Sequence, residues 1–496
     1  MTTTIWVLGD QLNRNLGALA TAQPGRDRVL LVHSRDKLDS KRWHRQRAHL
    51  IVTAMRRFAL ELRTEGFDVD ERDAASFRSG LTAHRKEFQP SQVVAMESAN
   101  FAGNRLLIDL GVELIRSDQF LCHRDDFTTF ASGRKSLKME DFYRWQRWRL
   151  RYLMDGDEPV EGRWNFDEEN RQPPPKTGHD RWATPPKDPL DDLDRSVLAG
   201  LPTSCWGADP DGTWATDRPG ALRRLDHFIA FLLPVFGPHE DAMLTDNWHL
   251  AHSLLSPYLN LGLLLPAEVC DAAEAAYRSG HAALSSVEGF IRQVIGWREY
   301  VHGVYWLRGP EYRQANGLRA NRPLPPVFLG AKTDMRCVSS ALGSLHDRGY
   351  MHHIQRLMVI GNLSMLAGVN PWALTEWMWA GFVDGAEWVM LPNVIGMSQH
   401  ADGGQMATKP YAAGGAYIDK MSDSCKGCRY DRKLRVGPDA CPFTTLYWDF
   451  LARHADPFAR NPRVVQQVRA AQKLTDLPAV RERAQDVLTK LDAGEL

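Results

Sequence analysis

Four of the seven cysteines are spaced so that they could bind a metal together. Two of them form a CKGC motif, which places both thiolates on one tight turn, and a third is followed directly by proline. Four thiolates are typical of a structural Zn²⁺ site or of a [4Fe–4S] cluster, and the spacing does not decide between the two. Disulfides are less favoured because no other feature indicates secretion. The four cysteines are Cys337, Cys425, Cys428 and Cys441.

Two adjacent histidines, His352 and His353, begin the largely apolar segment HHIQRLMVIGNLSML. A histidine at such a position is more often an ordinary core residue, but an imidazole can also transfer protons near neutral pH. Arg356 follows in the same segment, which is predicted to be buried. A buried guanidinium requires an acidic partner, which either Asp384 or Glu387 could supply.

The chain has 496 residues, too many for one hydrophobic core, so we expect two or three domains. Its formal net charge is zero, which argues against a purely polyelectrolyte DNA binder but allows a local basic groove. The N-terminal residues MTTTIWVLGD lack the features of a signal peptide, and no apolar run is long enough to span a membrane. We therefore expect a cytoplasmic protein, and we expect it to be monomeric.

Residues 1–130 are predicted to form an α/β domain. Apolar runs near residues 5–8, 28–32, 69 and 93–96 indicate strands, and residues 41–65 and 105–110 have helical patterns. This alternation predicts a doubly wound parallel sheet. Because ligands bind beyond the carboxyl ends of such strands, Gly9, Asp10 and Gln11 form a candidate site. The sequence after the first strand has no GxGxxG dinucleotide fingerprint.

Residues 131–240 are predicted to connect this domain to an all-helical region, residues 241–496. The connection begins with a basic and aromatic helix and continues into a polar, proline-rich loop. That loop is either a solvated linker or an ordered segment that contacts nucleic acid through Arg163, Trp164 and Arg171. In the helical region, Ser253 and Ser256 lie near a predicted helix start, where serines cap helices or bind phosphate.

Taken in order, these segments resemble the photolyase/cryptochrome superfamily, and in particular its iron–sulfur bacterial group, also called prokaryotic (6-4) photolyases. The resemblance covers essentially the whole chain and implies an antenna-binding domain, a helical FAD-binding domain and a [4Fe–4S] cluster on the four cysteines. It also implies light-driven repair of (6-4) photoproducts in UV-damaged DNA. The matching motifs include LGDQL at 8–12, GRWNFDEENRQP at 162–173, HSLLSPYLNLGLL at 252–264, EGFIRQVIGWREY at 288–300, HHIQRLM at 352–358, EWVMLPNVIGMSQ at 387–399, TKPYAAGGAYI at 408–418 and MSDSCKGCRYD at 421–431.

The resemblance assigns one set of residues to FAD. Within this set, residues 252–256 match the diphosphate site, and Arg356 with Asp384 matches an ion pair against the isoalloxazine ring. Met390 stands where superfamily members usually place Asn or Glu facing the flavin N5 atom, and a thioether is only a weak acceptor. The complete set is His252, Ser253, Leu254, Leu255, Ser256, Arg298, Arg356, Asp384, Glu387, Met390 and Asn393.

A second set is implied for repair. His353 matches the proton-transferring histidine of (6-4) photolyases, His352 matches the adjoining histidine, and Tyr411 matches a residue beside the lesion pocket. Gln293 stands near a position that is glutamate in enzymes acting on cyclobutane dimers. The residues implied to contact DNA or the lesion are Arg171, Gln293, Trp297 and Lys409.

A third set concerns light capture and electron transfer. Trp377 and Trp379 match the photoreduction chain, whereas Leu329 replaces a tryptophan of that chain. The antenna in the family is 6,7-dimethyl-8-ribityllumazine. Lys37 stands where an acidic residue contacts it, so either Asp36 substitutes or the antenna is different or missing. The implied antenna residues are Gly9, Asp10, Gln11 and Asp36.

Three functions therefore compete. The first is a DNA-repair enzyme, and the second is a blue-light signalling flavoprotein with weak or no repair. The third is a light-independent iron–sulfur protein that binds nucleic acid. Met390 and the altered tryptophan chain keep the second alternative open.

Overall fold

A five-stranded parallel sheet organises the first part of the chain. In this computed structural model, which describes residues 3–178 and 181–496, the strand order is β3-β2-β1-β4-β5. The order reverses beside β1, as in a doubly wound sheet, so the predicted fold of this domain is confirmed. The strands are β1 (Thr3–Trp6), β2 (Arg28–Ser34), β3 (Asp68–Ala74), β4 (Gln92–Met96) and β5 (Glu113–Ile115).

Helices cover both faces of this sheet. Val29 and Leu31 of β2 belong to the same buried cluster as Phe58 of α2, whereas Leu30 and Val32 pack in the opposite cluster with Leu81 of α3. Successive residues of a strand point to opposite faces, so a strand covered on both sides is apolar throughout. The helices here are α1 (Arg35–Asp39), α2 (Arg45–Thr64), α3 (Phe77–Phe88), α4 (Phe101–Asp109) and α5 (Arg124–Ala131), with a 3₁₀ helix at Gly17–Thr21.

The connecting region contains the predicted basic and aromatic helix, which ends at Leu150 because Arg151 adopts a left-handed conformation (φ 67°). Residues 163–178 and 181–191, which contain the proline-rich stretch, form neither helix nor strand. The elements of this region are α6 (Met139–Leu150), the hairpin of β6 (Met154–Asp155) and β7 (Glu158–Pro159), α7 (Asp192–Gly200) and α8 (Arg218–His227), with short helices at Val160–Gly162, Phe228–Leu232, Leu233–Val235 and Gly237–His239.

From residue 241 onward the chain is helical with long loops, and its β-structure is limited to isolated bridges. None of the described helices is long and apolar enough to cross a membrane. The α-helices are α9 (Ser256–Leu261), α10 (Pro266–Arg278), α11 (Leu284–Ile291), α12 (Glu299–Arg308), α13 (Arg336–Arg348), α14 (Asn362–Ala367), α15 (Pro371–Gly381), α16 (Glu387–Leu391), α17 (Gly415–Met421), α18 (Pro442–Arg453), α19 (Ala455–Phe458), α20 (Val465–Gln472) and α21 (Leu477–Ala493), with 3₁₀ helices at Pro310–Gln314 and Pro326–Leu329.

Three helices of this region contain π-helical segments, at Arg292–Arg298, Gln355–Gly361 and Pro392–Ser398. Each segment carries residues that the sequence assigns to the site, including Trp297, Arg356 and Asn393. A π-segment widens the helix by one residue per turn and is frequent at functional sites. The apolar pattern predicts the helices but gives no sign of this widening.

The α/β domain is joined to the helical region through backbone contacts. Leu12 donates its N–H to Leu261 O at 2.8 Å, and the Asn13 amide donates to Gly262 O at 2.8 Å. Gly262 has φ +80°, and a Cβ atom there would lie 3.1 Å from the Leu12 nitrogen. Glycine therefore permits both the turn after α9 and its close approach to the first strand–loop junction.

Candidate active site and metal centre

An ion pair between Arg356 and Asp384 lies at the centre of the candidate site. Arg356 Nη1 is 2.9 Å from Asp384 Oδ1, and Arg356 Nε donates to Met351 O at 2.6 Å. The second Asp384 oxygen accepts a hydrogen bond from Ser256 Oγ at 2.7 Å. These additional bonds satisfy a largely buried pair, which would otherwise be costly to desolvate. Of the two acids left open by the sequence, Asp384 is the partner of Arg356.

Three histidines lie together next to this pair. Ring nitrogen atoms of His252, His352 and His353 all lie within 4.8 Å of one another. The rings of His252 and His352 stack with centroids 4.6 Å apart. Burial lowers the pKa of both His252 and His352, and the neighbouring histidines and Arg356 lower it further. These two imidazoles are therefore neutral at physiological pH.

His353 faces outward and contacts an acid that the sequence analysis missed. Its side chain is 54% exposed, and its Nε2 atom is 3.3 Å from Asp241 Oδ1. Asp241 also raises the pKa of Tyr411 and Tyr417, for both of which burial is the larger cause. Asp241 lies in a loop without a recognisable pattern, whereas Tyr417 belongs to the matching motif TKPYAAGGAYI.

Arg171 lies on the same side of the site. Its charge lowers the pKa of both Tyr411 and Tyr417, opposing the effect of burial. Its guanidinium is 61% exposed and pairs with Asp167 at 2.8 Å, and Asp167 also pairs with Arg292 of the first π-segment. The proline-rich loop is thus tied to the helical region, as expected for an ordered loop rather than a free linker.

The four predicted metal-binding cysteines converge in space. Cys441, Cys425 and Cys428 all raise the pKa of the Cys337 thiol, although burial is the larger cause. Burial also raises the pKa of Cys425 to about 12, with further contributions from Cys441 and Cys428. Thiols that oppose one another's ionisation in this way are stabilised as thiolates when a metal binds them.

Three separate segments supply these sulfur atoms. Cys337 is in the first turn of α13, the CKGC pair forms a turn in which Gly427 has φ +79°, and Cys441 precedes α18. A Cβ atom on Gly415 would lie 3.0 Å from Cys441 Sγ, so glycine leaves room beside this sulfur. A metal held here would cross-link segments more than one hundred residues apart in sequence.

Comparison with known proteins identifies the family. The family model described as deoxyribodipyrimidine photo-lyase-related protein matches residues 5–203. The chain is 42% identical over 521 residues to the (6-4) photolyase of Agrobacterium fabrum, with 99% of this chain and 100% of that protein covered. The chain belongs to the photolyase/cryptochrome family.

Solved structures share the photolyase fold. The class III photolyase of Agrobacterium tumefaciens matches with a TM-score of 0.60 at 18% identity, covering 99% of this chain and 98% of that chain. The cryptochrome of Synechocystis sp. PCC6803 matches with a TM-score of 0.55 at 15% identity, covering 80% and 82% of the two chains. These two matches show a common fold for the α/β domain and the helical region.

Membership of the photolyase family implies an FAD cofactor, and several buried polar atoms fit such a ligand. Among the described residues, no hydrogen-bond partner is present for His252 Nε2, for either ring nitrogen of His352, for Gln355 Oε1 or for Arg298 Nε. Buried polar groups are normally paired, so these atoms are available to a polar ligand. Leu254, between His252 and Ser256, has φ +57°, a strained conformation that is frequent at ligand sites.

The remaining predicted flavin residues differ in their surroundings. Ser253 Oγ accepts from Leu255 N at 3.4 Å, but neither Ser253 nor Ser256 caps α9, so a capping role for these serines is excluded. Met390 is buried in the apolar core, and the Asn393 amide donates to Val389 O at 2.9 Å. Glu387 lines a cavity at the carboxyl end of the sheet, and Asp384 lines the same cavity.

Trp297 and Arg298 are adjacent in sequence but have different neighbours. Arg298 is largely buried, pairs with Glu299 at 2.6 Å and lies 4.2 Å from the Phe120 ring centroid. Trp297 is partly buried next to Tyr300, with ring centroids 6.3 Å apart. Two further residues are predicted to contact DNA or the lesion. The Gln293 amide donates to Gly289 O at 3.1 Å within its own helix. Lys409 is exposed.

Trp377 and Trp379 have different neighbours although both are on α15. Trp377 stacks on Phe328 with centroids 5.0 Å apart and donates to Phe328 O at 3.1 Å. Trp379 packs edge-on against Trp43 of the α/β domain at 6.3 Å. Leu329, which replaces a family tryptophan, is 62% exposed next to Phe328. The two tryptophans are therefore not consecutive members of one stacked chain.

A cavity of about 790 Å³ lies at the carboxyl end of the sheet and is lined by Gly9, Asp10, Lys37, Trp379 and Glu387, among others. A Cβ atom on Gly9 would lie 2.8 Å from Met55 Sδ, so a larger residue there would require the flexible Met55 side chain to shift. Burial raises the pKa of Asp10 and Glu387, and Lys37 partly opposes both shifts. The cavity thus contains both acidic and basic groups.

Two predicted antenna residues do not line this cavity. Gln11 is buried and donates its side-chain N–H to Glu97 O at 2.9 Å, so it links the β1 and β4 loops. Asp36 is exposed and is absent from the cavity wall. The Asp36 side chain therefore does not lie beside Lys37 in the cavity wall.

Proposed function

We propose that this protein is a light-driven DNA-repair enzyme that acts on (6-4) pyrimidine photoproducts. The observation that carries the proposal is the group of His252, His352 and His353 next to the Arg356–Asp384 pair. The relative from Agrobacterium fabrum, named a (6-4) photolyase, supports it. In this proposal residues 1–130 hold an antenna, residues 131–240 contact DNA, and residues 241–496 bind FAD and perform repair.

The chemistry of the lesion explains the need for histidine. Reversal of a (6-4) adduct must return a hydroxyl or amino group to the neighbouring pyrimidine, so a proton must be transferred. Splitting a cyclobutane dimer has no comparable step. His353 is proposed for this role, and its exposure and the contact of its Nε2 atom with Asp241 support the assignment. A carboxylate on one ring nitrogen fixes the orientation and tautomer of an imidazole.

His252 and His352 have a different part in the proposal. Both are buried and neutral, so they can donate or accept hydrogen bonds without adding charge beside Arg356. The rings of His353 and His252 are nearly perpendicular, with centroids 5.5 Å apart, and this contact limits how His353 can rotate. They therefore position the proton-transferring residue.

The damaged bases must leave the duplex to reach this group. In this proposal Arg171, on a loop anchored through Asp167, enters the gap that they leave, and its exposure supports this role. Stacking on an aromatic side chain such as Trp297 recovers about 1–3 kcal/mol per base. Lys409 is exposed and would contact phosphate.

FAD would be held by the unpaired polar atoms of His252 and Gln355, by the 252–256 segment and by the Arg356–Asp384 pair. When bound in its reduced form and excited by light, FAD supplies the electron that starts repair. The protein's contribution is to hold the cofactor among buried side chains, including Met390, where water is excluded.

We further propose that Cys337, Cys425, Cys428 and Cys441 bind a [4Fe–4S] cluster. The support is a set of four converging thiols together with the resemblance to the iron–sulfur photolyase group. Because its ligands come from α13, the CKGC turn and the residue before α18, the cluster would stabilise the fold rather than take part in repair.

The cavity of the α/β domain is proposed to hold the antenna chromophore. Its aromatic wall includes Trp379, and its polar wall includes Asp10, Lys37 and Glu387. With Lys37 at the position of a family acid, and with Asp36 outside the wall, a lumazine would depend for its acidic contact on one of the carboxylates that line the cavity, which are Asp10, Asp73, Asp384 and Glu387.

A repair assay under blue light and in the dark tests the enzymatic proposal. UV-damaged single-stranded DNA is incubated with the purified, reduced protein, and restored bases are measured chromatographically. Repair only in the light supports the proposal. DNA binding without repair under either condition would instead favour a nucleic-acid-binding protein, and light-dependent flavin changes without repair would favour a photoreceptor.

A further inference from the structure

A second cavity, of about 500 Å³, lies in the helical region and contains none of the residues assigned above. It is bounded by the loop of residues 318–322, the end of α14, the end of α18 and one face of α21. Its volume is within the range of small-molecule sites. Its position separates it from the flavin site, the cysteine cluster and the antenna cavity.

Four arginines line this cavity, and two of them are neutralised. Arg453 pairs with Asp449 at 2.6 Å and donates to Leu366 O at 2.6 Å. Arg322 pairs with Asp492 and donates to Leu488 O at 3.1 Å. These bonds hold both guanidiniums at the cavity wall. The complete set is Arg319, Arg322, Arg453 and Arg481.

The other two arginines, Arg319 and Arg481, have no carboxylate within ion-pair distance in the part of the chain that the structure describes. His454 adds no charge, because burial lowers its pKa to about 4. Four arginines line the cavity and only two of them are paired with carboxylates, so the cavity carries an excess of two positive charges.

Arg319 is also held in an unusual conformation. Its φ is +54°, in the left-handed region that non-glycine residues rarely adopt. Asn316 stabilises this loop by accepting from Ala320 N at 2.9 Å and donating to Ala320 O at 2.9 Å. Strained residues that are fixed by their neighbours are frequent at ligand clamps.

We propose that this cavity binds a phosphate-bearing small molecule, either a phosphate monoester or free phosphate, through Arg319 and Arg481. A guanidinium presents paired N–H donors that match phosphate oxygens. The excess of two charges is balanced by a phosphate group, which carries about −1.5 to −2 near pH 7. Arg322 and Arg453 are already anchored and supply further donors.

Calorimetric titration of the purified holoprotein in a phosphate-free and sulfate-free buffer tests this site. The probes are inorganic phosphate, adenosine monophosphate and an undamaged single-stranded oligonucleotide. We expect one of the two small probes to bind with one-to-one stoichiometry. Tighter binding of the nucleotide indicates a monoester ligand, and tighter binding of phosphate indicates the free anion.

The double variant Arg319→Gln/Arg481→Gln should weaken that binding by about tenfold or more. Asn316→Ala keeps every charge but releases the loop, so it should weaken binding to a smaller extent. The matched control is Arg469→Gln, which removes an exposed arginine of α20 outside the cavity and should leave affinity unchanged. Flavin absorbance before each titration verifies that the variants are folded.

Three results would overturn the proposal. These are no binding of either small probe to the parent protein, equal weakening by Arg469→Gln and by the double variant, and binding of the oligonucleotide alone. The last result would make these arginines part of a DNA-contacting surface.

Discussion

The Nε2 atom of His353 lies 3.3 Å from the carboxylate of Asp241, a residue 112 positions earlier in the chain. This contact links the loop before the 252–256 segment to the start of the Arg356 helix. It gives the exposed histidine a fixed orientation beside two buried, neutral histidines.

Replacing His353 should remove proton transfer while leaving the cofactor in place. General acid–base groups typically contribute about 10²–10⁴-fold to a rate, so His353→Ala should reduce repair by that order. FAD content, iron content and DNA affinity should remain near those of the parent protein. Repair quantum yield and DNA binding measured on the same preparation check this; full activity in His353→Ala would contradict the assignment.

Asp241→Asn should have a smaller effect of a different kind. The amide keeps the size of the carboxylate but is a weaker hydrogen-bond partner for His353 Nε2, so repair should slow by less than in His353→Ala while FAD content stays unchanged. Asp246→Asn, at an exposed acid five residues later, is the matched control and should leave the repair rate unchanged. Equal repair rates for Asp241→Asn and the parent protein would exclude a positioning role.

Electron transfer between FAD and the protein surface should depend on Trp377. It should be slowed at residue 329, where leucine replaces a family tryptophan. Trp377 is buried against Phe328, and Leu329 next to it is exposed. Trp377→Phe should slow FAD photoreduction severely, whereas Leu329→Trp should accelerate it by supplying an oxidisable ring. The rate of photoreduction, followed by the absorbance of the oxidised flavin, is the measurement; an unchanged rate in Trp377→Phe would favour a path through Trp379 and Trp43.

The cysteine cluster should contain iron. Cys425→Ala or Cys428→Ala should lose iron and give largely insoluble protein, because the cluster would cross-link α13, the CKGC turn and the residue before α18 beside the apolar core that these segments share. Cys205→Ala, at a half-buried cysteine outside the cluster, is the control and should retain iron. Elemental analysis giving one zinc and no iron in the parent protein would contradict the proposed cluster.

Glu240 should make stability fall with rising pH. Burial and Asp241 raise its pKa to about 8, so the folded state favours the protonated form. The contribution of protonated Glu240 to the free energy of unfolding is fully present below its unfolded pKa near 4.5, and it is lost as the pH rises through the folded pKa of about 8. At about 1.4 kcal/mol per pKa unit, Glu240→Gln should remove a few kcal/mol of pH dependence.

Urea denaturation at pH 6 and at pH 9 measures this effect. The fall in unfolding free energy between the two pH values should be smaller in Glu240→Gln than in the parent protein. Glu482→Gln, at an exposed acid of α21, is the control. If the unfolding free energy falls equally in the parent protein and in Glu240→Gln, Glu240 is already ionised in the folded protein at pH 6.

The sequence predicts the features that arise from periodicity and from ordered motifs. The alternation of strands and helices predicts the doubly wound sheet, and the need of a buried Arg356 for an acid predicts its pairing with Asp384 or Glu387. Asp241 could not be predicted, because its role depends on a loop that meets His353 only in three dimensions.

The directions of side chains near the strand ends could not be predicted from the sequence either. Gly9, Asp10 and Gln11 are adjacent in sequence, but Gln11 turns into the core and binds Glu97 O, while Asp10 lines the cavity. The direction of each side chain is set by the packing of the β1 and β4 loops, which the local sequence does not encode. The opposite environments of Trp377 and Trp379 have the same cause, since each packs against a different part of the chain.

The choice of lesion is the most direct test of the central claim. Two oligonucleotides of one sequence, one with a single (6-4) photoproduct and one with a single cyclobutane dimer, are illuminated with blue light and reduced protein under identical conditions. We predict repair of the (6-4) lesion and little or no repair of the dimer. Repair of the dimer with no action on the (6-4) lesion would contradict the proposed function and the role assigned to His353.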